Sequence, residues 1–494
     1  MTVSHIQADA QALLEALEEE IYLHYAGLKP DLNLSSIYDR YPGLTSRQAI
    51  QTLDQVLAQE SAPDPRRYQY LKAFLLSSYL GQATKHFDDR IATEEAHATI
   101  QVDDQTISYR HATIAIANEP DRERQRRIHQ AQLEVVERLT PLRAESVGLS
   151  HRLAVELGYQ HYTDLCMKGK GLDLYGLAER ARQFLAETED RYVAHLGRAA
   201  DRYLGLRLDQ LEPFDIRRML RAPSFDEAFT ADRLLGVFRD ALAQLGIDLD
   251  ERQAIRLDVE ARARKSPRAF CVPLHIPDRI MLVIMPQNGC DDYRALFHEG
   301  GHALHFSFVS PSSPFEYAYL GDNSVTESFA FLFDHLFLDP LWLEEHVPMP
   351  KQDEFVWFTH LEELFMVRRY CAKLLYELGL HSSDRLDGQD DRYARHLSEA
   401  IHVNIPPQMY LTDLDEGFYC AEYLQAWLFQ AQLRHALRAR YGPRWFAAPG
   451  AGAFLRDLWS SGQQYTVWEL AAQLGDTGLT TEPLIQELAE RLPI

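Results

Sequence analysis

Cysteine is scarce and unpaired in this chain. Its five cysteines, Cys166, Cys271, Cys290, Cys371 and Cys420, are odd in number and scattered over 494 residues, with no C-x-x-C pair. That argues against a disulfide framework and reads as free thiols in a reducing compartment. Positive charge is short as well. Fifty Lys and Arg face 73 Asp and Glu, a formal net charge of −23, so no basic surface is evident to neutralise phosphates and nucleic acid is excluded as a partner. The one local exception, Arg262-Ala263-Arg264-Lys265-Ser266-Pro267-Arg268, reads as a solvated loop. Gripping a peptide's C-terminal carboxylate is its functional alternative. No uninterrupted apolar stretch is long enough to cross a bilayer. The first ten residues show no charged start followed by an apolar core, so no secretory signal is visible. The expectation is a cytoplasmic protein without a membrane partner. Repeats and low-complexity tracts are absent too.

What is present is sharper. His298-Glu299-Gly300-Gly301-His302 is an H-E-x-x-H pattern. Residues four apart share a helix face with Cβ atoms roughly 5–6 Å apart. Two imidazoles so placed can reach one zinc ion at about 2.0–2.1 Å. Glu299, one step round the helix, is suited to take a proton from zinc-bound water rather than to bind metal. Asp291 and Asp292 ahead of Tyr293, Ala295, Leu296 and Phe297 suit a helix start. Gly300 and Gly301 each cost about 1 kcal/mol relative to alanine in a helix. Close approach of substrate or of a neighbouring backbone is the expected reason for two glycines side by side.

A catalytic zinc needs a third protein ligand and an open position for water. Phe308 stands where a third histidine would, six residues on, so a carboxylate is sought downstream. Glu327, 25 residues after His302, opens the apolar run Ser328–Phe337. It is preferred over Glu316. The competing reading of Ser324-Val325-Thr326-Glu327 is a capping box in which Glu327 only caps backbone. Asp334, two turns further along, is placed to orient a ligand imidazole.

The run His298-Glu299-Gly300-Gly301-His302-Ala303-Leu304-His305, with a glutamate 25 residues after the second histidine, resembles the thimet oligopeptidase and oligopeptidase F family of zinc metallopeptidases. The segments Arg152–Leu165 and Lys265–Phe270 are similar to that family more loosely. The resemblance implies a mainly α fold, a neurolysin-like helical clam with a deep central channel and a small β element beside the zinc helix. It implies one Zn2+ per chain held by His298, His302 and Glu327, with Glu299 as general base and then proton donor to the leaving amine. The implied substrates are short unfolded peptides. Family members draw oxyanion donors from a tyrosine-rich helix near the C-terminus. Here Tyr419, Tyr423 and Trp427, spaced i, i+4, i+8, form one stripe in the comparable place, with core packing as the structural alternative. Tyr423 is the first choice as donor and Tyr419 the second. Asp413 stands where the family has a histidine, and Phe418, Glu422 and Gln425 stand where some members have tyrosine.

Phe429-Gln430-Ala431-Gln432, followed by Ala436-Leu437, looks like a stretch of the angiotensin-converting-enzyme family, which keeps a dipeptidyl carboxypeptidase or carboxypeptidase open. A zinc-free helical scaffold is the non-enzymatic alternative. His305 reads as a hydrogen-bonded supporting residue, and His275, His335 and His402 as ordinary histidines.

Helical periodicity dominates the rest. Leu13, Leu14, Leu17 and Ile21 mark one face of a helix over 8–25. Further helices are expected over 67–80, 121–139, 142–157, 177–204 and 355–378. Loops are expected at Pro63-Asp64-Pro65 and over 31–42. Strands fit 269–272 and 279–285, and the second is a candidate to pair with an extended peptide, a structural hairpin being the alternative. A division near Pro213 separates an N-terminal helical half, 1–212, from a zinc-bearing catalytic half, 213–494.

Overall fold

A computed structural model describes residues 2–59, 64–249, 253–266, 268–383 and 385–494. Pro63 and Pro267, two residues of the sequence motifs above, lie outside the described residues. Helices make up 70% of the structure, and strands form only a two-stranded and a three-stranded sheet among the described residues.

The expected helices are found, most of them longer. The first runs Val3–Tyr25 and buries Ile6, Ala10, Leu13 and Leu17. Pro65–His97 and Gln352–His381 extend past their sequence estimates, and Leu174–Ala199 starts earlier than expected and is continued to Leu204 by a π-helical turn. The helices expected over 121–139 and 142–157 are one, Arg122–Glu156, which carries Pro141 inside it. Proline usually ends or kinks a helix because it lacks a donor. Here Thr140 turns its hydroxyl onto the Val136 carbonyl, and packed side chains on both sides of Pro141 hold the two parts in line. The stretch 31–42 is not all loop, since Leu34–Tyr38 forms a short helix capped by Asn33.

The chain makes two compact units. One comprises the chain up to Tyr79 with Pro223–Thr359 and Gln425–Gln486; the other comprises Leu80–Ala222, His360–Leu424 and Glu487–Ile494. The division near Pro213 lies close to one crossing, between Ala222 and Pro223, but the linear halves do not coincide with the units. The other four crossings fall inside helices, where no change of composition marks them.

The second unit contains the hairpin β1 (Thr99–Val102) and β2 (Gln105–Ser108), which sequence reading missed. Ile100, Val102 and Tyr109 pack there with Ile128, Val135, Val136 and Leu139 of the helix Arg122–Glu156.

The first unit holds the other sheet, in the order β3 (Ile255–Asp258), β5 (Arg279–Val283), β4 (Phe270–His275). β5 runs parallel to β3 and antiparallel to β4, with Leu282 opposite both Leu257 and Cys271. Being central, it is a continuous apolar run, and Ile280, Met281, Leu282 and Val283 are all buried. Pro273 sits on the edge strand β4, where a missing donor is tolerated. Ile21 and Tyr22 of the first helix cover Val272, Leu274, Met281 and Val283. The expectation that the 279–285 strand pairs with a peptide is therefore corrected: its backbone is bonded on both sides by β3 and β4.

The helix after the sheet, Cys290–Phe308, buries Tyr293, Leu296, Phe297, Gly300, Gly301, Ala303 and Leu304. Phe297 meets the rings of Phe238, Phe337 and Trp342 at centroid distances of 5.1, 5.0 and 5.4 Å. Each such buried side chain contributes roughly 1.5–3 kcal/mol. The helix is thus seated firmly on one face while His298 and His302 occupy another.

Candidate metal centre

Two packed helices of the first unit build this site. Cys290–Phe308 carries His298, Glu299 and His302; Asn323–Asp334 carries Glu327. Gly301 explains their closeness. A Cβ there would stand 2.6 Å from Ala330 Cα and 2.7 Å from the Phe329 carbonyl oxygen, so only glycine admits the facing backbone. Gly300 instead faces the ring of Phe238, 2.5 Å from where its Cβ would be. The neighbouring-backbone expectation holds for Gly301, and an aromatic side chain takes that part at Gly300.

His298, His302 and Glu327 come together with one donor atom each inside 4.8 Å. Glu327 Oε2 lies 3.4 Å from His298 Nε2 and 3.6 Å from His302 Nε2. Ligand atoms on a tetrahedral zinc about 2.0–2.2 Å away stand roughly 3.3–3.5 Å apart, so these spacings fit such an ion. Glu327 is buried, and the two histidines keep a little exposure, which suits a site open on one side. The capping reading of Glu327 is overturned, because Asp322 is the N-cap and accepts the Ser324 N–H at 2.9 Å. Glu316 is elsewhere. It is fully buried, with Arg67 Nε at 2.9 Å and Gln7 Nε2 at 2.5 Å.

The electrostatics couple the carboxylate to both imidazoles. Burial opposes ionisation of Glu327, but the two imidazoles outweigh it and hold the carboxyl well below its usual range. Burial likewise opposes charge on His298, yet Glu327, Glu299 and Asp334 together raise it above an ordinary histidine. Glu299 is raised, chiefly by burial. Its Oε2 accepts the backbone N–H of Cys271 at 2.9 Å, which ties it to the outward edge of β4. Asp334 pairs with Arg294, Oδ1 to Nε at 2.8 Å, and its charge acts on His298 from there. Thr326 was missed as a site residue: its hydroxyl lies 2.8 Å from His302 Nδ1.

The remaining histidines are ordinary. His305 is wholly buried between Phe306 and Phe329, and burial pushes it down to about 3, so it is neutral. The Gly462 backbone is a hydrogen-bonding neighbour of its ring beside this aromatic packing. His275 meets Glu15, His335 meets the Phe331 carbonyl, and His402 meets Glu189. In the basic stretch Arg264 and Arg268 are exposed, as a solvated loop requires, and the departures from that reading are Lys265 and Arg262. Lys265 is buried and donates to Asp258 Oδ1 at 2.9 Å and to the carbonyls of Asp258 and Glu260. Arg262 binds Asp258, Glu260 and the Ala26 carbonyl.

Tyr419 and Tyr423 lie at the start of the helix Tyr419–Tyr441, in the second unit. Their rings meet edge to face at 4.8 Å, and Tyr423 stacks on Tyr370 at 5.4 Å. Trp427, one turn further along and in the first unit, stacks on Phe331 at 4.5 Å; Phe331 in turn meets His298 at 5.3 Å. The residues that differ from the family's segment are used internally. Asp413 takes Arg369 at 2.5 Å and the Tyr393 hydroxyl at 2.8 Å, Glu422 takes Lys170 at 2.9 Å, and Gln425 accepts the Trp468 indole N–H at 2.7 Å. Gln430 and Gln432 are likewise buried and bonded to His335 and to Asp476.

A second group, Glu377, Asp415 and Cys420, also has ligand-type atoms close together. It holds itself without an ion: Lys373 is 2.7 Å from Asp415, and Glu377 accepts the Asp415 N–H at 3.0 Å and the Cys420 S–H at 3.2 Å.

No helix among the described residues is long and apolar enough to cross a membrane. No protein-family model matches the chain, and no curated protein matches it in sequence. Solved structures do match. One, described as a putative oligoendopeptidase F from Bacillus anthracis str. Ames, aligns with a TM-score of 0.70 over 99% of this chain and 95% of that one, at 13% identity. The chain therefore has the mainly helical fold of that oligoendopeptidase F structure.

Proposed function

We propose that this protein is a zinc-dependent metallopeptidase that hydrolyses internal bonds of short, unfolded peptides. The observation that carries this reading is the convergence of His298, His302 and Glu327 at spacings suited to one tetrahedral ion, on an oligoendopeptidase F fold. His298, His302 and Glu327 hold the ion. Zinc, when bound, supplies a Lewis acid that polarises the scissile carbonyl and makes water acidic enough to attack near neutral pH.

Glu299 takes the proton of the attacking water and hands it to the leaving amine. Two features support that role. Its elevated pKa suits a group that must both accept and release a proton. Its bond to the Cys271 N–H fixes the carboxylate plane. Tyr423, and after it Tyr419, donates to the oxyanion of the tetrahedral intermediate.

Zinc content and cleavage mapping test this together. Purified wild type and Glu299→Gln are assayed for metal and given peptides of roughly 5–20 residues, on the order of what a closed site admits, with products read by mass spectrometry. Zinc in both, with internal cleavage by wild type alone, is the expected result. Dipeptides or single residues released from one end make it an exopeptidase. Absence of both zinc and cleavage leaves a helical scaffold.

A further inference from the structure

The two histidines of the centre are supported differently. On the His298 side Asp334, whose charge acts on the ring, is already paired with Arg294. On the His302 side the partner is a neutral hydroxyl, Thr326 Oγ1, 2.8 Å from Nδ1. Thr326 is 6% exposed and directly precedes Glu327 in the first turn of Asn323–Asp334. With Asp322 capping that turn, the Thr326 side chain is not needed as its N-cap.

An imidazole binds metal through a nitrogen that carries no proton. His302 points Nε2 toward Glu327, so an ion bound at Nε2 requires the ring proton on Nδ1, the atom 2.8 Å from Thr326 Oγ1. Resting on the zinc reading above, we infer that Thr326 is a positioning residue: it fixes the tautomer and ring orientation of His302 for metal binding. One helical turn thus supplies both the carboxylate ligand and the hydrogen bond that prepares a histidine ligand on the facing helix. Removing the acceptor strands a buried N–H, which the ring relieves by moving its proton to Nε2, the atom the ion requires. Partners of this kind typically alter metal affinity about 10–100-fold.

The test measures zinc affinity of the full chain by competition with a chromophoric chelator, for wild type, Thr326→Val, Thr326→Ala and Thr326→Ser. Valine keeps the shape and removes the acceptor, alanine checks that the effect does not depend on fit, and serine restores the hydroxyl. The expected result is zinc held about 10–100-fold more weakly by the valine and alanine variants, with serine within about threefold of wild type. Metal-free thermal midpoints report any damage to the fold separately. Wild-type affinity in Thr326→Val or Thr326→Ala overturns the inference while leaving the metallopeptidase reading intact. Serine as weak as valine also overturns it, since packing would then be the cause. A wild type that takes up no zinc removes both.

Discussion

The backbone N–H of Cys271 and the carboxylate of Glu299 are joined at 2.9 Å, linking the edge strand β4 to the helix that bears both histidines. Cys271 matters here through its main chain. Its thiol is pushed well above the usual range, chiefly by burial, which disfavours the reactive thiolate. The strand therefore orients the proposed base without supplying chemistry of its own. Glu299→Gln should keep the fold and bind stoichiometric zinc while kcat falls by about 10²–10⁴, the usual range for loss of a general base. Peptide turnover and metal analysis on the same preparation check this, and retention of more than a tenth of wild-type kcat would assign the base elsewhere.

The glycine pair should not respond evenly to alanine. At Gly301 the added methyl meets the backbone of Phe329 and Ala330; at Gly300 it meets a side chain, the ring of Phe238. Overpacking typically costs about 1–3 kcal/mol. Gly301→Ala should lower the thermal midpoint more than Gly300→Ala, and should weaken zinc binding by spreading His302 from Glu327. Thermal scans with and without zinc test the order. Equal effects would mean that the two helices separate easily.

Tyr423 and Tyr419 can be ranked by kinetics. Tyr423→Phe keeps the stack on Tyr370 and removes only the hydroxyl. A lost oxyanion donor commonly lowers kcat about 10²–10³-fold. That loss is expected at Tyr423 with KM and zinc content nearly unchanged, and a smaller one at Tyr419→Phe. The reverse order in steady-state kinetics would exchange their roles.

Glu377 gives the chain a pH-dependent stability. Burial pushes this carboxyl up to about 8, and the nearby cation, Lys373, is already engaged by Asp415. An unfolded glutamate loses its proton near about 4.3. Between these values the folded chain holds a proton that the unfolded chain releases, so stability falls as pH rises through that window. Glu377→Gln lacks this dependence. Its thermal midpoint should gain on wild type from pH 5 to pH 8. A gap that stays constant with pH would show Glu377 ionised in the fold.

Reading the chain alone went furthest where a local period carries the information. The four-residue step from His298 to His302 is a helix geometry, and the structure keeps it. Leu13 and Leu17 announce the first helix in the same way, and both are buried. Local reading failed where distant groups decide. Lys265 looks like surface charge, but Asp258 and two carbonyls solvate it inside the fold. Pro141 looks like a helix end, but packing carries the helix through it. The hairpin Thr99–Ser108 is short and half exposed, so its hydrophobic pattern is faint.

The sequence by itself determined a helical chain with a two-histidine motif and a list of carboxylates within range. A helix period is set by neighbouring residues, so it survives without knowledge of the fold. The sequence preferred Glu327 over Glu316, and tertiary structure supplied the contacts of each carboxylate. It committed Glu316 to Arg67 and Gln7, made Asp322 the cap, and left Glu327 facing both imidazoles. The place of Glu327 beside the imidazoles depends on how closely the helices Cys290–Phe308 and Asn323–Asp334 can pack, and the backbone contact at Gly301 sets that distance.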